Sequence, residues 1–247
     1  IGNTRIRETI SASKHGEQFI VERHFEIDQS DRPLLLVLGL KANGGVTLGQ
    51  SSGKRIVNLT EEQSRWVARI PTHKEPIRFC ITFTEKGPAP PIEPRTISIQ
   101  ASNTRWAQQT ITSAELSSKK EAYVVDDITL PFDNPWKRNV RPADIQFLED
   151  GTGVMPTIDG DVWLAHGLEG SLDSIRWKRY ASGLHEPMTV AIRDNQIYVF
   201  DRNGIWRLKD TNGDGEADVH EMFSNVFAQT ADMREFPSTI RLAPKGE

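Results

Sequence analysis

The 247-residue chain has little of several things, and each scarcity excludes a class of protein. It holds one cysteine, Cys80, so no internal disulfide can form and no CxxC zinc pair or CxxCH haem-attachment motif exists. No apolar run approaches the roughly 18 residues that span a bilayer; the longest, Leu34–Leu40, is strand-sized. There is no excess of positive charge: the formal net charge is −4, with acids and bases well mixed. That argues against a nucleic-acid-binding surface, which is basic and clustered. The first residues, Ile1-Gly2-Asn3-Thr4, show neither a methionine nor a charged head followed by an apolar core, so the expectation is a piece cut from a longer protein.

Helical signatures are scarce too, and strand signatures are abundant. Segments 17–27, 34–40, 46–49, 55–59, 65–70, 77–84 and 95–100 have strand length and β-rich content. Turn signals such as Asp31-Arg32-Pro33 and Asn43-Gly44-Gly45 separate them. This spacing predicts an all-β chain with a β-sandwich-like domain over residues 1–120. Thr60-Glu61-Glu62-Gln63 reads as a brief helical turn capped by Thr60. The prolines at 88–94 read as a stiff surface loop. His15, His24 and His73 show no ligand spacing and are read as surface residues, and Cys80 as a small buried or half-buried thiol. Asn58-Leu59-Thr60 matches a glycosylation acceptor, a short pattern with many chance matches.

Beyond a polar linker at 113–121 the pattern changes. Proline-led strand openings recur at Pro142, Pro187 and Pro237, which are 45 and 50 residues apart. A period of this size, filled by about four short strands, predicts β-propeller blades. Residues 121–247 are therefore read as a partial propeller, about two blades and the start of a third.

The most chemically informative stretch is Asp210-Thr211-Asn212-Gly213-Asp214-Gly215-Glu216-Ala217-Asp218, followed by Glu221. Oxygen-bearing side chains fall at loop positions 1, 3, 5, 9 and 12, with glycine at 6. Calcium takes six to eight oxygens at about 2.3–2.6 Å, and this alternation wraps them around one point. The predicted ligands are Asp210, Asn212, Asp214, the carbonyl of Glu216, Asp218 and Glu221. An EF-hand would flank the loop with helices. Here Gln196–Phe200 and Gly204–Leu208 form a hairpin through Asn203-Gly204, so the loop is expected between strands. Glu221 then falls in a strand and is the weakest member of the set. The competing reading is a polar turn whose Asx residues bond their own backbone.

Tyr123–Ile128 with Pro131, Asn134-Pro135-Trp136, Gly160-Asp161-Val162-Trp163, Ala181–Pro187 and the Asp-x-Asn-x-Asp-Gly loop together resemble a family of large exported bacterial proteins. These proteins are common in planctomycetes and verrucomicrobia and carry a propeller similar to the sorbosone and soluble glucose dehydrogenases. Arg105-Trp106 and Thr110-x-Thr112-x-x-x-Leu116 look like that family's pre-propeller region. The resemblance spans residues 15–247 and is most specific over 122–223. It implies a periplasmic or secreted protein that oxidises a sugar or alcohol with PQQ and passes electrons to a c-type cytochrome carrying haem c, further along the chain. The partners implied are the rest of its own propeller and that cytochrome domain. In such a site His185 would be the base and Arg141 or Arg234 the cations holding the quinone carboxylates, with Asp144 a further candidate. The residues alone read more simply as polar groups lining a channel mouth, paired as Arg–Asp and Arg–Glu. The alternative function is a non-catalytic, calcium-stabilised binding module for polysaccharide or protein, with carbohydrate stacking on some of the six tryptophans.

Overall fold

A computed structural model describes residues 4–40, 44–50, 56–99, 103–226, 236 and 238–243. Among these residues there is no helix, and hence none long and apolar enough to cross a membrane. The chain is all-β. It divides into two compact units, Ile1–Ser98 and Ile99–Glu247.

The first unit holds β1 (Ile6–His15), β2 (Gln18–Ile27), β3 (Leu34–Leu40), β4 (Gly45–Gln50), β5 (Asn58–Glu62), β6 (Arg65–Ile70) and β7 (Ile77–Thr84). They form two antiparallel sheets, ordered β1-β2-β7-β4 and β3-β6-β5. The period-2 alternation of β2 and β7 sends Phe25, Ile27, Phe79 and Ile81 to one face, where they meet Ala68 and Ile70 of the second sheet and Val57 just before β5. Phe25 and Phe79 stack with ring centroids 4.9 Å apart. Thr60–Glu62, expected as a helical turn, lies in β5 instead. Gln63 and Ser64 close the β5–β6 hairpin with φ of 48° and 60°, the paired left-handed geometry that matches strand twist.

The opposite face of β2 and β7 carries Glu22, His24, Cys80 and Thr82, all buried. His24, expected at the surface, is 0% exposed because the proline-rich segment lies over this face. The Arg95 backbone N–H donates to His24 Nδ1 (3.2 Å) and the Arg95 guanidinium reaches Glu22 Oε2 (3.2 Å). Glycine permits the close approach: a Cβ on Gly49 would sit 2.0 Å from the Ile92 carbonyl oxygen.

The second unit comprises β8 (Thr110–Thr112), β9 (Gln146–Phe147), β10 (Gly153–Pro156), β11 (Val162–His166), β12 (Ile175–Ala181), β13 (Thr189–Arg193), β14 (Gln196–Asp201), β15 (Gly204–Lys209) and β16 (Val219–Ser224). Two antiparallel sheets result, β8-β12-β11-β10-β9 and β13-β14-β15-β16. Residues 99–120, grouped with the first domain by sequence, belong to this unit, because β8 pairs with β12. Both faces of the five-stranded sheet are apolar. Val154, Val162 and Leu164 pack with Val190, Ile197 and Val199 of the next sheet. Trp163, Trp177 and Met155 pack on the other side with Val140 and Trp136. Burial on both faces explains the unbroken run Val162-Trp163-Leu164-Ala165.

Candidate functional site

The loop joining β15 to β16 is built by its own side chains. Asp210 Oδ1 accepts the Gly213 N–H (2.7 Å), and Oδ2 accepts the Gly215 N–H (2.8 Å). Asn212 Oδ1 accepts from the Asp214 N–H, and Asp214 Oδ1 from the Glu216 N–H (3.0 and 2.9 Å). Asp218 Oδ2 closes the ring on the N–H and hydroxyl of Thr211 (2.8 and 2.7 Å). Gly215 has φ of 78°, a left-handed conformation that a Cβ resists.

One loop residue does something the spacing did not announce. The Glu216 side chain is buried, and its carboxylate accepts two backbone N–H groups from a distant segment: Arg105 on Oε2 (2.8 Å) and Trp106 on Oε1 (2.7 Å). The Thr104 hydroxyl donates to Asp214 Oδ2 (2.9 Å), and the Arg105 guanidinium donates to the Ala217 carbonyl (2.8 Å). Trp106 is bracketed by Arg105 and Arg179, 4.4 and 4.3 Å from its ring centroid. The loop therefore fastens residues 104–106 to the second sheet. Position 7 of the pattern needs only a carbonyl for a metal, so nothing local marked Glu216 as an anchor.

Charge in the loop is already partly balanced. The Lys178 ammonium bonds the Asp214 carbonyl. Burial by itself would raise the Asp214 pKa, but bonds from Thr104, Asn212 and the Glu216 N–H, with the nearby Lys178 charge, hold it below the ordinary range. Glu221 lies in β16, and its carboxylate is taken by Arg207 and by Lys209 (2.7 Å). His220 beside it is pushed down to about 4 by burial and then by the Arg105 charge, so it is neutral at pH 7.

The donor set suits a hard cation. Asp210, Asn212, Asp214 and Asp218 offer only oxygen, and an oxygen that accepts one N–H retains a lone pair for a metal. Among the described residues no three acidic, imidazole or thiol groups are gathered tightly enough to hold an ion as they stand.

The residues read as a propeller mouth are engaged separately. Arg141 forms a bidentate pair with Asp159 (2.7 and 3.0 Å), not with Asp144. That bond, with the attraction behind it, lowers the Asp159 pKa. Asp144 Oδ2 accepts from the Thr189 hydroxyl (2.8 Å) and the Val190 N–H (3.2 Å). The Thr189 oxygen in turn accepts the Ile240 N–H (3.3 Å). Positions opening successive repeats are thus linked in series. His185 is exposed, and its backbone N–H donates to Asp201 Oδ2 (2.9 Å). Arg234 lies outside the described residues. Asp161, from the Gly-Asp-Val-Trp motif, is fully buried between Arg138 (2.6 Å) and Arg179 (2.8 Å). Of the tryptophans, Trp163 and Trp177 are buried core and the other four are half-buried.

Protein-family models, curated proteins and solved structures were compared with this chain, and none matches.

Proposed function

We propose that this chain is a calcium-stabilised, non-catalytic binding module: a sandwich-like domain followed by the opening blades of a β-propeller, from an exported protein. The observation that carries the reading is the double role of the 210–218 loop. Its oxygen-only donor set suits one calcium ion, while Glu216 and Asp214 tie residues 104–106 to the same loop. An ion there would neutralise clustered carboxylates and order the junction between β15, β16 and the segment at 104–106. The two successive antiparallel sheets of the second unit, sharing one apolar core and joined in series through Asp144 and Thr189, support blade-like repetition. The redox reading requires His185, Arg141 and Asp144 to converge on one cofactor. Arg141 instead pairs with Asp159, and Asp144 with Thr189 and Val190, which favours the binding module.

Calcium titration of the full chain tests the reading. An ion that binds only the folded form stabilises it by about 2.7 kcal/mol at a hundredfold excess over Kd. With Kd in the range of about 10⁻⁴–10⁻³ M, about 1 mM calcium should stabilise by roughly 0.4–1.4 kcal/mol and raise Tm further at about 10 mM, while magnesium should do little. Asp214→Ala should abolish the rise. An unchanged Tm in calcium, together with no heat of binding by calorimetry, would refute the calcium site.

A further inference from the structure

The first unit carries an edge that nothing in the proposed propeller role uses. β1 ends its sheet, and among the described residues no strand pairs with its outer side. It runs for ten residues, in unbroken register with β2, with no bulge, proline or glycine. Bulges, prolines and like charges ordinarily blunt an edge; the charges on β1 are of both signs, Glu8 and Lys14 among them, so a long flat edge like this can still template a strand that matches them. Beside it lies an exposed apolar patch: Ile10 is 65% exposed, Phe19 68% and Val21 42%. The register sets Ala12 opposite Val21 and Lys14 opposite Phe19, so this patch adjoins the open edge.

We propose that β1 is a self-association edge, along which two copies of this chain pair antiparallel about a two-fold axis at Ser11. Antiparallel pairing sets residues that both turn their N–H and C=O toward the partner, or both away, opposite one another, so in a symmetric pair the axis must run between the two copies of one residue. Centring on Ser11 matches Glu8 with Lys14 twice, Ile10 with Ala12 twice and Thr9 with Ser13 twice. Centring on Ile10 instead sets Ile6 against Lys14 and Glu8 against Ala12, leaving both charges unmatched. Opposite charges and apolar pairs directly across strands are favourable, and this register supplies both. Glu8 bonds Arg23 through Oε1 (2.6 Å), and a carboxylate accepts more than one partner. Pairing would also set the two Ile10–Ala12–Val21–Phe19 patches side by side, with each Ile10 against the partner copy's Ala12.

Sedimentation velocity on the full chain tests this. A concentration-dependent dimer is expected. Glu8→Lys or Lys14→Glu alone should weaken it by about tenfold, since each places like charges opposite one another twice. The combination E8K/K14E should restore it, because every glutamate again faces a lysine. Ser11→Cys provides an independent readout. Facing Cα atoms at about 4.5–5.5 Å permit a disulfide, so mild oxidation should give a covalent dimer, while buried Cys80 stays inert. A chain that stays monomeric up to about 100 µM, a dimer indifferent to the single reversals, or a folded Ser11→Cys variant that does not crosslink would overturn the proposal.

Discussion

Replacing Glu216 gives the sharpest prediction, because a metal-loop reading and the structure disagree about its side chain. A calcium loop asks only for the carbonyl at this position. In the fold the carboxylate is 2% exposed and receives the N–H groups of Arg105 and Trp106, with the Arg105 guanidinium 3.7 Å away. Hydrogen bonds to charged groups contribute about 1.5–3 kcal/mol each, and a buried N–H left unpaired costs about 1–3 kcal/mol. Glu216→Gln keeps the shape but turns an amide donor toward one N–H, and should destabilise the second unit by about 2 kcal/mol. Glu216→Ala removes both acceptors and should cost about 3–4 kcal/mol. For a domain of this size that is a Tm decrease of roughly 5–15 °C. Five of the six tryptophans lie in the second unit and only Trp66 in the first, so fluorescence-detected urea unfolding reports mainly on the second. The experiment belongs in calcium-free buffer, where only the hydrogen bonds act. Both variants unfolding within about 0.5 kcal/mol of the parent would refute the anchoring argument.

Two further outcomes follow from the buried polar face of the first unit. Burial alone would raise the Glu22 pKa, but bonds from Ser13, His24 and Ser11 and the Arg95 charge outweigh it, so the folded value lies below the ordinary 4.5. Glu22 therefore contributes stability that is fully present above pH 4.5 and is lost as pH falls through the depressed value. Glu22→Gln should flatten that acid limb in pH-dependent urea melts, and an unchanged limb would contradict the assignment. Burial first, and then the Glu22 charge, push the Cys80 thiol up to about 12. Native protein at pH 8 should thus resist a thiol-reactive dye that labels the urea-unfolded chain at once. Rapid labelling of the native form would show that this face is open.

Much of the strand framework was legible because it depends on neighbours in sequence. Alternation in β2 and β7, the Asn-Gly hairpin before β15 and the lone thiol pointing away from Phe79 and Ile81 all come from period-2 geometry. β1 escaped notice because its apolar residues, Ile6, Ile10 and Ala12, share their face with Glu8 and Lys14, which breaks the alternation that marks a strand. The turn at Gln63-Ser64 escaped because a capping pattern and a hairpin start with the same residues, and only the pairing of β5 with β6 chooses between them.

The same division holds at the loop. Its spacing of oxygens and glycines lies within nine residues, so the sequence by itself determined that carboxylates and a left-handed glycine would share one tight turn between strands. Tertiary structure alone decided what that turn holds. Glu216 meets backbone more than a hundred residues earlier, Glu221 is diverted to Arg207 and Lys209, and Glu22 and His24 sit in polar strand positions that the 89–95 segment happens to cover. Local conformation follows from sterics and hydrogen bonds within a few residues, which the order of side chains records. Burial and partnership depend on which distant backbone arrives, and no short pattern encodes that.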